Sequence, residues 1–225
     1  MNRDIRAWSK TAVAIALPLL WSNRVLPGLN LDMRGRTAAN VAFASAYAFT
    51  FGGRPNWLSP RGRRVGITAA AVVTSGYAAA LAIPGIRQRL VAVPDRAPEV
   101  TDLEWVSLHI PLGTVYSEEM IFRATLSPIL DGTAGRFGKW LSAATFGLWH
   151  IYPARAAGDS VPGAVAATAA AGLLFDELGR RTGSTTAPAL LHLAVNAGGA
   201  LVRPLARLLS GSDPHEGDLV VRAPR

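Results

Sequence analysis

Two adjacent carboxylates and an arginine, Glu118, Glu119 and Arg123, lie in the run YSEEMIFRATL, whose flanking residues predict an apolar, membrane-buried helix. Each ionised side chain at the centre of a spanning helix costs roughly 2.5 to 3.5 kcal/mol on insertion scales. Three such groups so close together indicate a functional site, because intramembrane charges are kept mainly where a protein uses them.

Helical geometry predicts different surroundings for the two glutamates. Residues four apart share one face of an α-helix, so Glu119 is expected to pair with Arg123. Glu118 is rotated about 100° from its neighbour and must find a partner on another helix. Two adjacent carboxylates beside one guanidinium are expected to differ in their affinity for a proton, with Glu118 the adjustable one.

Two later apolar segments supply further polar groups. The run ATFGLWHIYP carries Phe146 and His150 four residues apart, and HLAVN carries His192 and Asn196 with the same spacing. Each pair therefore lies along one helix face. A buried carboxylate beside a histidine can take a proton from water, so these groups together predict an acid/base site.

The elements that position these residues are predicted to be membrane helices. Half of the 225 residues are apolar and the mean hydropathy is +0.24. A span needs about 20 apolar residues, which allows six to eight spans, joined by short loops with turn signals. Seven spans are expected at 1–23, 37–53, 65–86, 103–130, 137–152, 161–178 and 185–208.

This division predicts an all-α, polytopic helical bundle in one membrane domain. Residues 1–210 form that domain, with a catalytic core at about 103–208, and residues 211–225 form a polar tail. The first helix is expected to be a retained span and not a cleaved signal peptide, because no small-x-small site follows its apolar core. The alanine- and arginine-rich composition favours a bacterial plasma membrane.

Charge and cysteine content narrow the partners. The formal net charge is +8, but the basic residues flank apolar runs, as Arg61, Arg63 and Arg64 do. This distribution favours anionic lipid head groups over nucleic acid as a partner. The chain has no cysteine, which excludes disulfides, thiol nucleophiles and thiolate metal ligands.

The three motifs EEMIFR, FGLWH and HLAVN match EExxxR, FxxxH and HxxxN in order and approximate spacing. The chain thereby resembles, over residues 114–199, the CPBP family of CAAX proteases and bacteriocin-processing enzymes, also called Abi proteins. The resemblance implies a metalloprotease-like, glutamate-dependent intramembrane endopeptidase that cuts a membrane-associated peptide or protein, with or without a lipid modification.

Carried onto this chain, the resemblance assigns roles within the motifs. Glu118 and His150 activate water, and His192 and Asn196 stabilise the oxyanion. Glu119 belongs to the same catalytic set and orients the site, and the supporting residues are Arg123 and Phe146.

Several alternatives stay open from sequence. A non-catalytic membrane protein, such as a proton-coupled carrier or a bacteriocin or toxin immunity factor, could use the same carboxylates. No cofactor is expected, although Glu118, His150 and His192 are one carboxylate and two imidazoles, a set that can bind catalytic zinc. The membrane orientation, the oligomeric state and the substrate are not specified by the sequence.

Other charged groups are expected outside the site. His109 lies in the same predicted span as the glutamates and is interpreted as interfacial or structural. Asp176 and Glu177, followed by Arg180 and Arg181, are interpreted as a charged cap that anchors the sixth span at the head groups.

Overall fold

The computed structural model describes residues 2–92 and 99–211, and for 2–4 it describes the backbone alone. The predicted polar tail from residue 212 onward and residues 93–98 of the loop before the fourth span lie outside this description. All described elements are helices, with no strand among them, which confirms the predicted all-α class. Nine are used below: α1 Asn2–Leu20, α2 Met33–Phe51, α3 Pro60–Ala82, α4 Pro84–Val91, α5 at 102–134, α6 Gly138–Trp149, α7 Ile151–Ala156, α8 Val161–Thr182 and α9 Thr186–Ser210.

The ends of the helices follow local capping chemistry. Ser59 and Ser160 each accept a hydrogen bond from a glycine N–H in the first turn of α3 and α8, and a proline opens both helices. Gly52 and Gly183 end α2 and α8 with positive φ values of 75° and 59°, a conformation that glycine adopts at no steric cost. The predicted spans agree with the start of α8 at residue 161, whereas α3 begins at Pro60, five residues before the predicted span 65–86.

Seven of the described helices have 12 or more residues, and they coincide with the seven predicted spans. Three of them, α3, α8 and α9, are long and apolar enough to cross a membrane. Large apolar side chains face outward, among them Phe49 at 90% and Val72 at 69% exposure, as expected of a lipid-facing surface. The exact number of spans stays a prediction.

The bundle has two ends, and each is marked by contacts near the ends of helices. At one end, the backbone N–H of Tyr152 donates to Asn23 at 2.8 Å, and Arg34 pairs with Glu104 at 2.7 Å. At the other end, Asn56 donates to the Gly183 carbonyl at 2.8 Å, and Arg180 pairs with Asp131. We call these the α7 end and the α8–α9 end, because α7 lies at the first and the loop joining α8 to α9 lies at the second.

Helix α5 carries the two glutamates and is wider than an α-helix over most of its length. Its segments are Asp102–Glu104, a π-helical Trp105–Tyr116, a π-helical Glu119–Leu126 and the α-helical Ser127–Ala134. Hydroxyls bridge the widened turns, since Ser117 and Thr125 each donate to a carbonyl five residues earlier, at 2.9 and 2.8 Å. The α-helical spacing assumed from sequence is therefore wrong at this segment.

The buried core lies beside the glutamates and fixes their helix. Ile121, Phe122 and Leu126 are fully buried, and Phe122 meets Phe146 of α6 edge-to-face at a centroid distance of 4.9 Å. Such aromatic packing restricts the rotation of α5 about its axis. The carboxylates of Glu118 and Glu119, which lie on the adjoining turn, are consequently held in one orientation.

Candidate active site

Glu118 lies near the middle of α5 with 6% of its surface exposed. Its Oε1 accepts a hydrogen bond from the indole Nε1–H of Trp149 at 3.1 Å. Its Oε2 has no hydrogen-bond partner. A buried carboxylate with one satisfied and one free oxygen is able to accept a further proton donor.

His150 presents one ring nitrogen to Glu118. The residue ends α6 and separates it from α7, and its Nδ1 lies 2.8 Å from the Phe146 carbonyl oxygen. Because a carbonyl only accepts, Nδ1 carries the proton and Nε2 of the neutral ring is an acceptor. This Nε2 lies 3.9 Å from Glu118 Oε1. One water molecule can donate to both atoms at about 2.8 Å each.

His192 of α9 bridges the two glutamates. Its Nδ1 lies 2.9 Å from Glu119 Oε1, and its Nε2 lies 3.6 Å from Glu118 Oε2. The ring is buried and stacks on Phe175 at a centroid distance of 4.7 Å. Both ring nitrogens therefore face carboxylate oxygens, Nδ1 at hydrogen-bond distance and Nε2 beyond it, and a ring with a proton on each nitrogen can donate to both.

Asn196 lies one turn after His192 on α9. Its Nδ2 donates to the His192 carbonyl at 3.3 Å, which uses one of its two amide protons. Asn196, Glu118, Trp149 and His150 line one cavity of about 660 Å³. The cavity extends past Leu31 and Arg36 toward the α7 end of the bundle. It is large enough for a short peptide segment.

Arg123 lies between two carboxylates. Its Nε is 3.6 Å from Glu119 Oε2 and 3.5 Å from Asp176 Oδ1, and none of its nitrogens forms a hydrogen bond. Its guanidinium also lies over the Phe146 ring at 4.4 Å. The pair predicted between Glu119 and Arg123 is thus present at ion-pair distance, but Arg123 is shared with a second acid.

Asp176 is not at the head groups, so that interpretation was wrong. The residue is 3% exposed, and its Oδ1 accepts a hydrogen bond from Ser127 at 2.8 Å. The next residue, Glu177, is exposed and pairs with Arg181 at 2.6 Å, as a surface cap would. The two adjacent acids lie on different faces of α8 because successive helix positions are rotated by about 100°.

Two contributors to the site were not found from sequence. Trp149 occupies an unspecified position of the FxxxH motif, and only its place next to His150 could have indicated a role in the site. Asp176 was missed because Arg180, four residues later, suggested a surface ion pair, whereas Arg180 pairs with Asp131. His109, by contrast, lies outside the site, with its Nδ1 2.7 Å from Thr37 and its Nε2 3.2 Å from Glu104.

The histidine and carboxylate side chains of the site are also of the types that bind metal ions. Within the described part of the chain, no group of three or more histidine, aspartate and glutamate side chains is arranged to hold a metal ion. The zinc alternative at Glu118, His150 and His192 stays a hypothesis.

Comparison with known proteins identifies one family. Residues 101–198 match the family described as type II CAAX prenyl endopeptidase Rce1-like, and this segment contains all seven predicted site residues. No curated protein and no solved structure matches the chain. The three apolar helices and the family match indicate a membrane protein. Over residues 101–198 the chain is similar to the Rce1-like CAAX prenyl endopeptidases, which confirms the family resemblance that its three motifs predicted.

Proposed function

We propose that this protein is an intramembrane endopeptidase in which Glu118 and His150 activate the attacking water. One observation carries the proposal. The buried Glu118 carboxylate and the acceptor Nε2 of His150 face each other at 3.9 Å at the inner end of a cavity. A water held there donates both of its protons, so its oxygen lone pair is free to attack a carbonyl carbon.

The reaction balances with the groups present. Water adds its oxygen to the peptide carbonyl carbon, and Glu118 takes the released proton. The carbonyl oxygen becomes an oxyanion, which the Nε2–H of His192 and the second amide proton of Asn196 stabilise. When the C–N bond breaks, the proton on Glu118 passes to the leaving amine, and the carboxylate is regenerated.

The other site residues support this geometry. Glu119 holds His192 through the 2.9 Å contact to Nδ1, so that Nε2 is directed toward Glu118. Phe146 positions His150 through its carbonyl oxygen. Trp149 fixes Glu118 by donating to Oε1, the carboxylate oxygen that faces His150 Nε2. Such supporting contacts keep catalytic groups within a fraction of an ångström of the productive arrangement.

The proposed substrate is a membrane-associated peptide or protein, with or without a prenyl group, in a bacterial plasma membrane. Support comes from the family match and from the cavity that Glu118, His150 and Asn196 line. Membrane lipids are the other proposed partners, and nucleic acid is not one, because the basic residues flank apolar segments.

The proposal is tested by cleavage of quenched fluorescent peptides, with and without a farnesyl cysteine, in detergent. Glu118→Gln and His150→Ala are each expected to lower kcat at least 100-fold, since each removes one acceptor of the water proton. Glu177→Gln is the matched control, because it removes an exposed glutamate and leaves the site intact. Wild-type rates in Glu118→Gln would exclude the glutamate mechanism.

The same assay distinguishes a peptidase from a non-catalytic membrane protein. A carrier or an immunity factor would bind peptide without releasing cleaved product, in the wild type and in Glu118→Gln alike. Mass spectrometry of the products therefore separates turnover from binding.

Metal dependence is tested separately. We expect wild-type activity to persist within about twofold after dialysis against a strong chelator, because the proposed mechanism uses only side chains. Loss of activity that added zinc restores would instead assign Glu118, His150 and His192 to a metal.

A further inference from the structure

Asp176 lies outside the three motifs and contacts neither the substrate cavity nor the reacting groups. It nevertheless belongs to the buried charge cluster, because its Oδ1 is 3.5 Å from Arg123 Nε while Glu119 Oε2 is 3.6 Å from the same atom. One guanidinium thus stands between two carboxylates at nearly equal distances. Neither carboxylate forms a hydrogen bond with it.

The position of Asp176 is fixed by a directed chain of hydroxyls. The carboxylate only accepts, so Ser127 of α5 donates to it at 2.8 Å. The single proton of Ser127 is then used, and Ser142 of α6 must donate to Ser127 at 2.8 Å. All three side chains are buried. Three helices therefore converge to hold one carboxylate beside Arg123.

Sharing of Arg123 has a consequence for Glu119. A guanidinium with a single carboxylate partner prefers a bidentate arrangement that uses both carboxylate oxygens. Here Oε1 of Glu119 is bound to His192 Nδ1 at 2.9 Å, and only Oε2 faces Arg123. The attraction of Asp176 draws Arg123 away from the bidentate position, which leaves Oε1 for the histidine.

We infer that Asp176 is a positioning residue: by sharing Arg123, it keeps Glu119 bound to His192 and so directs His192 Nε2 toward the reacting carbonyl. This inference rests on the proposed peptidase function. It adds a residue of α8 to a site that the motifs confine to α5, α6 and α9. Asp176 acts through Arg123 and Glu119 and does not touch the substrate.

The kinetic test uses Asp176→Asn in the full-length protein with the farnesylated quenched peptide. Arg123 is expected to close onto Glu119 and displace His192, which lowers kcat about 10- to 100-fold, while KM stays within about twofold because no substrate contact changes. Asp176→Glu retains the charge and is expected to recover most of the rate. Glu177→Gln, at the next position of α8, is the control and should match the wild type.

A spectroscopic measurement tests the same contact without turnover. An imidazole N–H that donates to a carboxylate gives a proton resonance well downfield of the amide region, and His192→Ala assigns it. This resonance is expected in the wild type and in Glu177→Gln, and it should be lost or move upfield in Asp176→Asn. Its absence from the wild type would contradict the bond on which the inference depends.

The outcomes separate the two proposals. If the wild type cleaves no peptide, the peptidase function fails, but the resonance still reports whether Asp176 holds Glu119 on His192. If Asp176→Asn does not fold, Ser127→Ala replaces it, because it removes the hydrogen bond that fixes Asp176 and leaves every charge in place; a smaller change in the same direction is expected. An unchanged kcat and an unchanged resonance in the folded variants would overturn the inference.

Discussion

Glu118 and Glu119 are neighbours of the same residue type, yet they make different contacts and have different proposed roles. Glu118 is held by the Trp149 indole and faces the cavity, whereas Glu119 is fully buried between His192 and Arg123. The difference arises from what each side chain meets on other helices. In the proposed mechanism, Glu118 therefore takes the proton of water, whereas Glu119 orients His192.

The shared position of Arg123 predicts non-additive stability. Breaking a buried ion pair costs about 3 to 5 kcal/mol, but each carboxylate leaves the other as a partner. Glu119→Gln or Asp176→Asn alone is expected to cost less than that range. The double variant should exceed the sum of the two by about 1 to 2 kcal/mol, because Arg123 is then buried without compensation. Denaturation in detergent measures the free energy of unfolding of the two single variants and the double variant.

A second double variant serves as the control for this cycle. Glu119→Gln combined with Glu177→Gln should be additive within about 0.5 kcal/mol, because Glu177 is exposed and pairs with Arg181 only. Additivity in the Glu119–Asp176 cycle would show that Arg123 is not shared.

Sequence reasoning succeeded for groups with a fixed spacing along one helix and failed for groups that meet through space. The pairs His150 with Phe146 and His192 with Asn196 follow from four-residue periodicity. The contacts of Trp149 and Asp176 join different helices, and no local pattern encodes them. The ion pair between Glu119 and Arg123 was predicted, but its sharing with Asp176 depends on the packing of α8 against α6.

The contact between α6 and α8 depends on glycine. A Cβ added to Gly147 of α6 would lie 2.6 Å from the Val165 carbonyl oxygen of α8, which is backbone and cannot rotate away. Gly172 of α8 similarly faces the Phe146 side chain at 3.0 to 3.4 Å. At Gly147 the two helices therefore approach more closely than a side chain would permit.

Gly147→Ala is expected to force α6 and α8 apart. Overpacking of this kind costs about 1 to 3 kcal/mol, and His150 lies only three residues later, so activity should fall together with stability. Gly76→Ala in α3 is the matched control, because its Cβ would meet nothing within 4 Å. Replacing a glycine in an open helix position should leave activity unchanged and raise stability by about 0.5 to 1 kcal/mol.

Thermal melts and peptide cleavage, measured on the same preparations, check both variants. A Gly147→Ala protein as stable and active as the wild type would show that the helix contact can relax without moving His150.

Helix ends and helix identity were predictable because proline, glycine and serine mark them locally. The widening of α5 was not. Its hydroxyl bridges from Ser117 to Leu112 and from Thr125 to Met120 span five residues and depend on how the turns pack in the core. Local propensity does not distinguish five-residue from four-residue hydrogen bonding, so sequence reasoning assigned the commoner α-helix.

The bundle as a whole separates two cavities that flank the charge cluster. The large one contains Glu118 and extends toward the α7 end. A smaller one of about 170 Å³ lies at the α8–α9 end, where Arg54, Arg123 and Asp176 are among the residues that line it. Access of a peptide to Glu118 is consequently expected from the α7 end.

Single cysteines test this direction of access, because the chain has no native cysteine. Leu31→Cys lies in the large cavity near the α7 end, and Arg54→Cys lies at the α8–α9 end. Because the bundle is predicted to span the membrane, a membrane-impermeant maleimide should label the two variants from opposite sides of oriented vesicles. The chosen positions avoid every residue of the proposed catalytic set.

Labelling of the two cysteine variants should also affect peptide turnover differently. A bulky maleimide on Leu31→Cys occupies the path of the peptide and is expected to lower cleavage at least tenfold, chiefly through KM, because chemistry at Glu118 is untouched. The same label on Arg54→Cys should leave cleavage within about twofold. Labelling of both cysteines from one side would contradict the two-ended arrangement, and inhibition through Arg54→Cys alone would place substrate entry at the α8–α9 end.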